Sequence, residues 1–205
     1  LDISKYFFNI PHAHLAQLIN RRLREPPLKQ LVQTIVNSIS TGPHPGVGIP
    51  IGNLTSQLFA NVYLDQVDHF AKEHLRIRHY IRYMDDFAIF SNSKDQLREW
   101  QEAIAQFANT LGLSLNPSRT MLGPASAGIN WLGFRVLQPG IRRLARRNII
   151  RAARMVHQLA HLHHTGRIDS ATISTHLKSW AAHASYAQTW HLRQSLFNSV
   201  NWSST

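Results

Sequence analysis

The sequence predicts an α+β fold in two parts, a mixed part over residues 1–138 and a basic, all-helical part over residues 139–205. Helical and strand-like patterns alternate in the first part, whereas helical spacing of apolar residues dominates the second. The charge changes at the same place. Residues 141–205 hold nine basic residues and one acid, against thirteen basic residues and ten acids before them. The turn signal Gln138-Pro139-Gly140 marks the boundary.

The composition is typical of a globular protein that binds a polyanion. The chain has 205 residues, 43% of them apolar, and a formal net charge of +11. This excess favours nucleic acid as the partner, with an acidic membrane surface as the second choice. The absence of cysteine excludes disulfide scaffolds, thiolate zinc sites and cysteine nucleophiles. No apolar run approaches roughly 18 residues, so no membrane span is predicted.

Each part contains recognisable elements. A first helix is predicted over residues 54–70, and a second follows the capping box Ser93-Lys94-Asp95-Gln96 and ends near Gly112. Between them, residues 80–90 are rich in aromatic and β-branched side chains on both sides of two aspartates, which predicts a hairpin. Residues 144–162 have the spacing of an amphipathic helix with a cationic face.

The paired aspartates Asp85 and Asp86 lie at the centre of this hairpin. Adjacent carboxylates beside Tyr83 and Phe87 repel each other and are costly to bury without a partner. A divalent cation such as Mg²⁺ removes that cost. Strand pairing would bring a third acid, Asp2, beside Asp85, and two metal ions held by such acids support in-line phosphoryl transfer. A surface turn is the alternative that these residues leave open.

Five segments, in order, resemble the conserved motifs of reverse transcriptases. They are residues 2–7 for motif A, residues 48–57 for motif B, Tyr83-Met84-Asp85-Asp86 for the YxDD box, residues 112–120 for motif D and residues 131–134 for motif E. The resemblance implies a polymerase palm, an antiparallel sheet with packed helices, followed by a basic helical thumb. It also implies that the fingers region before motif A is missing, and we expect such a fragment alone to be inactive.

The resemblance implies a role for each motif A and YxDD residue. Asp2 and Asp85 would hold two Mg²⁺ ions, for which Mn²⁺ is a substitute, with the Ile3 carbonyl as a backbone ligand. Asp86 would be a supporting acid, because adjacent strand residues point to opposite faces. Phe7 matches the steric-gate position, where its ring would reject a ribose 2′-hydroxyl. An ordinary core aromatic is the alternative for Phe7.

Motifs B and D depart from the commoner patterns. Many reverse transcriptases have Gln-Gly where this chain has Ile51-Gly52, and the box ends here in Ser56-Gln57. This form is similar to the enzymes of diversity-generating retroelements and implies error-prone copying, above all opposite template adenine. Ile51 would leave discrimination to shape, where a missing contact is worth about 1–3 kcal/mol; alternatively, it only packs the pocket. Arg119 replaces the usual lysine, so we expect electrostatic stabilisation of pyrophosphate rather than proton donation.

The remaining matched residues concern nucleic acid. Motif E implies a primer grip formed by Trp131, Leu132, Gly133 and Phe134. Exposed thumb arginines would follow the backbone of an RNA–DNA hybrid; they are Arg142, Arg143, Arg146, Arg147, Arg151 and Arg154. The expected partners are template RNA, primer and deoxynucleoside triphosphates, with a small basic accessory protein and no membrane. A bacterial or phage-encoded enzyme of this kind is expected in the cytoplasm.

Two other functions stay open. Another bacterial reverse transcriptase lineage, of the group II intron-like or abortive-infection type, has the same motifs, although Ile51 and Gln57 argue against the intron type. A palm relic that binds nucleic acid without catalysis is the alternative from a different class. The intact Asp2, Asp85 and Asp86 argue against that relic, whereas the missing fingers argue for it.

Overall fold

Helices and short antiparallel sheets alternate along residues 1–38 and 40–202, the part of the chain that this computed structural model describes. The predicted α+β class is therefore confirmed. The chain divides into two units, Leu1–Leu122 and Gly123–Thr205. The predicted boundary after residue 138 falls instead in a turn between two paired strands of the second unit. The assignment of the two parts as palm and thumb stays a prediction.

The described residues of the first unit form four α-helices and a hairpin. Its elements are α1 (His12–Arg22), α2 (Pro26–Asn37), α3 (Leu54–His69) with a π-helical turn (Phe70–His74), β1 (His79–Tyr83), β2 (Asp86–Phe90) and α4 (Lys94–Thr110). The predicted helix over residues 54–70 and the predicted hairpin are both confirmed. Helix α4 begins at the predicted N-cap, because the Ser93 side chain accepts a hydrogen bond from the Gln96 amide at 3.2 Å; the Ser93 amide donates to Ser91 Oγ rather than to the Gln96 side chain. Just beyond its end, Gly112 has φ +73°.

One face of the β1–β2 hairpin is buried and the other is exposed. Tyr80, Arg82 and Phe87 point to the inner face, where Phe87 joins a core that includes Tyr63 of α3 and Ile104 of α4. The outer face presents residues that are exposed in β1, namely His79, Ile81 and Tyr83. Strand alternation thus separates a packing face from a face open to a ligand.

The second unit, as far as residue 202, combines a three-stranded sheet with three α-helices. Its elements are β3 (Ile129–Trp131), β4 (Phe134–Leu137), β5 (Ile141–Leu144), α5 (Arg146–His164), α6 (Ser170–Ala184) and α7 (Trp190–Phe197), with strand order β3-β4-β5. The prediction of an all-helical segment from residue 139 is wrong for Ile141–Leu144. This stretch pairs antiparallel with β4, with Leu144 opposite Phe134, and so belongs to the sheet.

Helix α5 is amphipathic, as its sequence predicts. Ala152, Val156 and Leu159 are buried on one side, whereas the arginines on the other side are exposed. Among the residues that the structure describes, no helix has both the length and the apolar character needed to cross a bilayer.

Candidate active site

The two-residue turn of the β1–β2 hairpin contains Met84 and Asp85, and Asp86 is the first residue of β2 opposite Tyr83. Such turns usually place glycine or asparagine at positions with positive φ. Met84 nevertheless has φ +55°. Left-handed backbone at a residue other than glycine costs on the order of 1–3 kcal/mol and persists only where the surroundings enforce it. The turn that presents Asp85 is therefore strained.

Asp2 lies beside this hairpin in an antiparallel bridge with Asp86. The Phe87 amide donates to the Leu1 carbonyl at 2.9 Å, and Ile3 pairs on its other side with Leu115. Strand pairing thus gathers the three predicted acids, as the sequence indicates. The residue directly opposite Asp2 is Asp86, however, and residues opposite each other in an antiparallel pair point to the same face.

The carboxyls of this cluster are electrostatically unfavourable together. Burial raises the pKa of Asp85, and the nearby Asp2 carboxylate raises it further. Burial also raises the pKa of Asp86, followed by the effects of Asp85 and Asp2. Raised pKa values mean that the ionised forms of these carboxyls are unfavourable, and a bound cation would stabilise the ionised forms.

Asp2 is 4% exposed and is held by two residues of motif D. The Asn116 amide nitrogen Nδ2 donates to Asp2 Oδ2 at 3.1 Å, and the Asn116 backbone amide donates to the Asp2 carbonyl at 2.8 Å. Arg119 Nη1 donates to Asp2 Oδ1 at 3.3 Å. Asn116 was not predicted as a site residue. Its position in an Asn-Pro-Ser turn, where its Oδ1 accepts from the Ser118 amide, is the signal that could have indicated it.

The chemistry of these donors fits Mg²⁺, because this ion prefers carboxylate oxygens. Ile3, the predicted backbone ligand, is buried next to Asp2. Within residues 1–38 and 40–202, however, no group of three or more acidic, histidine or cysteine side chains is close enough to hold a metal ion. Arg119 instead neutralises Asp2, and its side chain is mostly exposed. The donor types therefore fit the ion, whereas a three-ligand arrangement is not formed.

The loop of motif B is attached to motif A through the main chain. The Ile49 amide donates to the Phe7 carbonyl at 2.8 Å, and the Gly48 amide donates to the Ile10 carbonyl at 2.8 Å. His12 Nε2 donates to the Gly48 carbonyl at 2.7 Å inside the core. Gly48 has φ +85°, and a Cβ there would lie 2.4 Å from the Gly42 nitrogen. Phe7 is partly buried against the core beside this loop.

Beyond the loop, the predicted nucleotide-binding side chains are open to solvent. Ile51 is 64% exposed, so its side chain is open to a ligand. Gly52 has φ +103° with open space around it, and Gln57 is exposed at the start of α3. These three residues are free to contact a ligand.

Motif E forms the tip of the β3–β4 hairpin in the second unit. Leu132 and Gly133 have φ +49° and +86°, the two positive values of a type I′ turn, between the paired Trp131 and Phe134. Asn148 of α5 donates from Nδ2 to the Gly133 carbonyl at 2.9 Å, and a Cβ on Gly133 would lie 2.6 Å from that nitrogen. The tip is therefore fixed to the start of α5.

The six arginines that are predicted to contact the nucleic-acid backbone are all exposed. Two lie on β5 and four on α5: Arg142, Arg143, Arg146, Arg147, Arg151 and Arg154. Within the described part of the chain, the ion pairs include none of the six. Exposed and uncompensated arginines fit a polyanionic ligand.

Sequence comparison supports the assignment that this geometry favours. No significant match was found among curated proteins. The family model described as reverse transcriptase (RNA-dependent DNA polymerase) matches residues 1–136, which include the three aspartates and all five motifs. Because this match covers more than half of its length, the chain belongs to the reverse transcriptase family.

Proposed function

We propose that this chain is the catalytic part of an RNA-directed DNA polymerase that makes cDNA by two-metal nucleotidyl transfer. The supporting observation is the cluster of Asp2, Asp85 and Asp86 around one strained hairpin, in a chain of the reverse transcriptase family. The raised pKa of Asp85 and of Asp86 is what a site for a divalent cation would have before the cation binds.

Each residue of the cluster has a distinct part in this chemistry. Bound divalent cations would supply charge stabilisation at the α-phosphate and at the primer 3′-hydroxyl. Asp2, Asp85 and, as a supporting acid, Asp86 would hold them in their ionised forms. Arg119 has one contact of 3.3 Å to Asp2 and a mostly exposed side chain, so it can turn towards the leaving pyrophosphate. We expect its guanidinium to stabilise charge by electrostatic contact rather than as a general acid.

Nucleotide selection would depend on the joined motifs A and B. Phe7 would exclude the ribose 2′-hydroxyl, and its carbonyl accepts the hydrogen bond that fixes the motif B loop. Ile51, Gly52 and Gln57 would face the incoming nucleotide and the template base. Exposure of the Ile51 side chain supports a direct contact with that base pair. The motif E residues would hold the primer, and the six arginines would contact the hybrid backbone.

The sequence Ile51-Gly52 with Ser56-Gln57 supports a diversity-generating retroelement as the origin of the enzyme. An apolar side chain at position 51 cannot form a hydrogen bond with the base pair, so discrimination between correct and incorrect nucleotides would depend on shape. We therefore propose mutagenic copying at template adenines, in the cytoplasm of a bacterial host and with a small basic accessory protein.

Primer extension by the complete gene product tests this proposal. The assay uses a defined RNA template, Mg²⁺ and deoxynucleotides, with Asp85→Ala as the control, and the products are sequenced. Extension that is lost in the control and enriched in errors opposite adenine supports the proposal. Accurate extension keeps the polymerase and contradicts the mutagenic type. No extension despite intact RNA binding, also with the accessory protein present, favours the non-catalytic relic.

A further inference from the structure

Arg82 connects the strained turn to helix α3. Its side chain is 12% exposed on the inner face of β1. Nε donates to Asp68 Oδ1 at 2.7 Å, Nη2 donates to Asp68 Oδ2, and Nη1 donates both to Asn61 Oδ1 at 2.9 Å and to the Met84 carbonyl at 3.0 Å. One guanidinium thus joins two positions of α3 to the residue immediately before Asp85.

The anchor on α3 is well defined. Asp68 accepts both parallel bonds of the Arg82 fork and a third bond from the Tyr80 hydroxyl at 2.6 Å. Bidentate pairing of this kind fixes the orientation of the guanidinium as well as its position. Because the guanidinium is planar, the bonds of Nε and Nη2 to Asp68 also fix the position of Nη1, which contacts the Met84 carbonyl.

Met84 is held at both ends. Its carbonyl accepts from Arg82, and its sulfur accepts from Asn61 Nδ2 at 3.4 Å. Without such contacts, the left-handed conformation of Met84 would relax, because it costs on the order of 1–3 kcal/mol at a residue other than glycine. Asp85 follows directly, so relaxation of Met84 would reorient its carboxylate.

We propose that Arg82 is a positioning residue that, with Asp68 and Asn61, holds the Met84-Asp85 turn in its productive conformation. This inference depends on the proposed function, since the productive conformation is the one in which Asp85 serves nucleotidyl transfer. Lysine cannot replace Arg82, because a single ammonium group cannot contact Asp68, Asn61 and the Met84 carbonyl together in the same planar arrangement.

The test compares Arg82→Lys with two controls in the complete gene product. Arg22→Lys makes the same change in the exposed Arg22–Asp65 pair, which joins α1 to α3. Tyr80→Phe removes one bond to Asp68 and leaves Arg82 in place. The measurements are the single-turnover extension rate, the KM for deoxynucleotide, hybrid binding and the melting temperature.

We expect Arg82→Lys to lower the single-turnover rate by about 30- to 100-fold, because a misplacement of about 1 Å at a reacting group has an effect of this size. Hybrid binding should change less than about threefold. Both controls should keep rates within about threefold of the wild type, even where Tyr80→Phe lowers the melting temperature. A rate for Arg82→Lys within that same range, or one that falls only with the folded fraction, would overturn the proposal.

A second readout does not need catalysis. In protein labelled with ¹³C at methionine methyl groups, the Met84 signal should shift in Arg82→Lys and stay in place in Arg22→Lys. An unchanged Met84 signal contradicts the coupling between Arg82 and the turn. If the wild type fails to extend primers while the Met84 signal responds as expected, the coupling stands, the proposed function fails, and the assignment of Arg82 to catalysis fails with it.

Discussion

Asp2 and Asp86 lie directly opposite each other in an antiparallel bridge. Asp85, which the family resemblance implies as a metal-binding residue, lies in the adjoining turn instead. The pKa of Asp86 is raised first by burial and then by the charges of Asp85 and Asp2. Asp86 is thus more closely coupled to Asp2 than alternation along a single strand predicts.

We expect Asp85→Asn to lower the extension rate by about three orders of magnitude, because several kcal/mol of charge stabilisation depend on it. Asp86→Asn should lower the rate by about ten- to a hundredfold, since it changes the charge beside Asp2. Single-turnover kinetics at saturating Mg²⁺ measure both effects. A wild-type rate in Asp86→Asn would show that the coupling to Asp2 has no part in catalysis.

Without divalent metal, the raised pKa of Asp86 makes stability depend on pH. A carboxyl whose pKa is higher in the folded protein binds more protons there than in the unfolded chain, so its contribution is complete below the unfolded pKa and is lost as the pH rises through the folded pKa. Asp86→Asn should therefore melt at a higher temperature than the wild type at pH 7, with EDTA present. This difference should shrink as the pH falls towards about 4. A difference that is independent of pH would contradict this explanation.

Asn116 should matter for the geometry of Asp2. Its side chain donates to Asp2 Oδ2, and loss of a residue that orients a metal ligand commonly costs about 10- to 100-fold in metal affinity or activity. We expect Asn116→Ala to weaken Mn²⁺ binding, measured by electron paramagnetic resonance, within this range. Ser118→Ala is the matched control, because it removes the Ser118 hydroxyl bond to Asn116 and leaves Asp2 untouched. Equal effects of both changes would indicate a general disturbance of the loop.

Ile51→Gln should restore a polar contact at the base pair. Because the side chain is exposed, the substitution should leave the melting temperature within about 2 °C of the wild type. The error rate opposite template adenine should fall by about tenfold, as expected for a contact worth roughly 1–3 kcal/mol. Sequencing of cDNA from one template measures it, with Leu31→Gln on the exposed side of α2 as the control. Unchanged errors would remove Ile51 from the explanation of fidelity.

The arginines of α5 should act through phosphates. Arg147→Ala should reduce the slope of log affinity for a hybrid against log salt concentration by about 0.7 to 0.9, without changing sequence preference. Fluorescence anisotropy between low and physiological salt measures this slope. Arg98→Ala is the control, since Arg98 pairs with Asp95 on the surface of α4. Equal slopes for the wild type and Arg147→Ala would place Arg147 outside the interface.

Local signals in the sequence identified several elements because they determine backbone geometry directly. The Ser93 cap and Gly112 bounded α4, and the β-branched and aromatic run around Asp85 specified the hairpin. Long-range pairing was harder to predict. The strand Ile141–Leu144 forms because β4 lies beside it, and apolar spacing in its own segment does not reveal that partner.

The same distinction applies to the site. The acids were visible in the sequence because two adjacent aspartates in an apolar segment are costly to bury unless they have a function or a partner. Their partners could not be predicted, because the pairing of Ile3 with Leu115 is what brings Asn116 close to Asp2, and the sequence does not reveal this pairing. The sequence could have indicated that Arg82, a charged residue in an apolar strand, has a buried partner. That this partner is Asp68 follows only from the position of α3 in the structure.

The main-chain attachment of the motif B loop separates the shape of this loop from the identity of its side chains. The hydrogen bonds of Gly48 and Ile49 to Ile10 and Phe7 use backbone atoms, so they do not depend on the side chain at position 51. Natural selection can therefore vary the residue at position 51 without rebuilding the loop. If Ile51 contacts the base pair as proposed, single substitutions at this position can change copying accuracy independently of the stability of the fold.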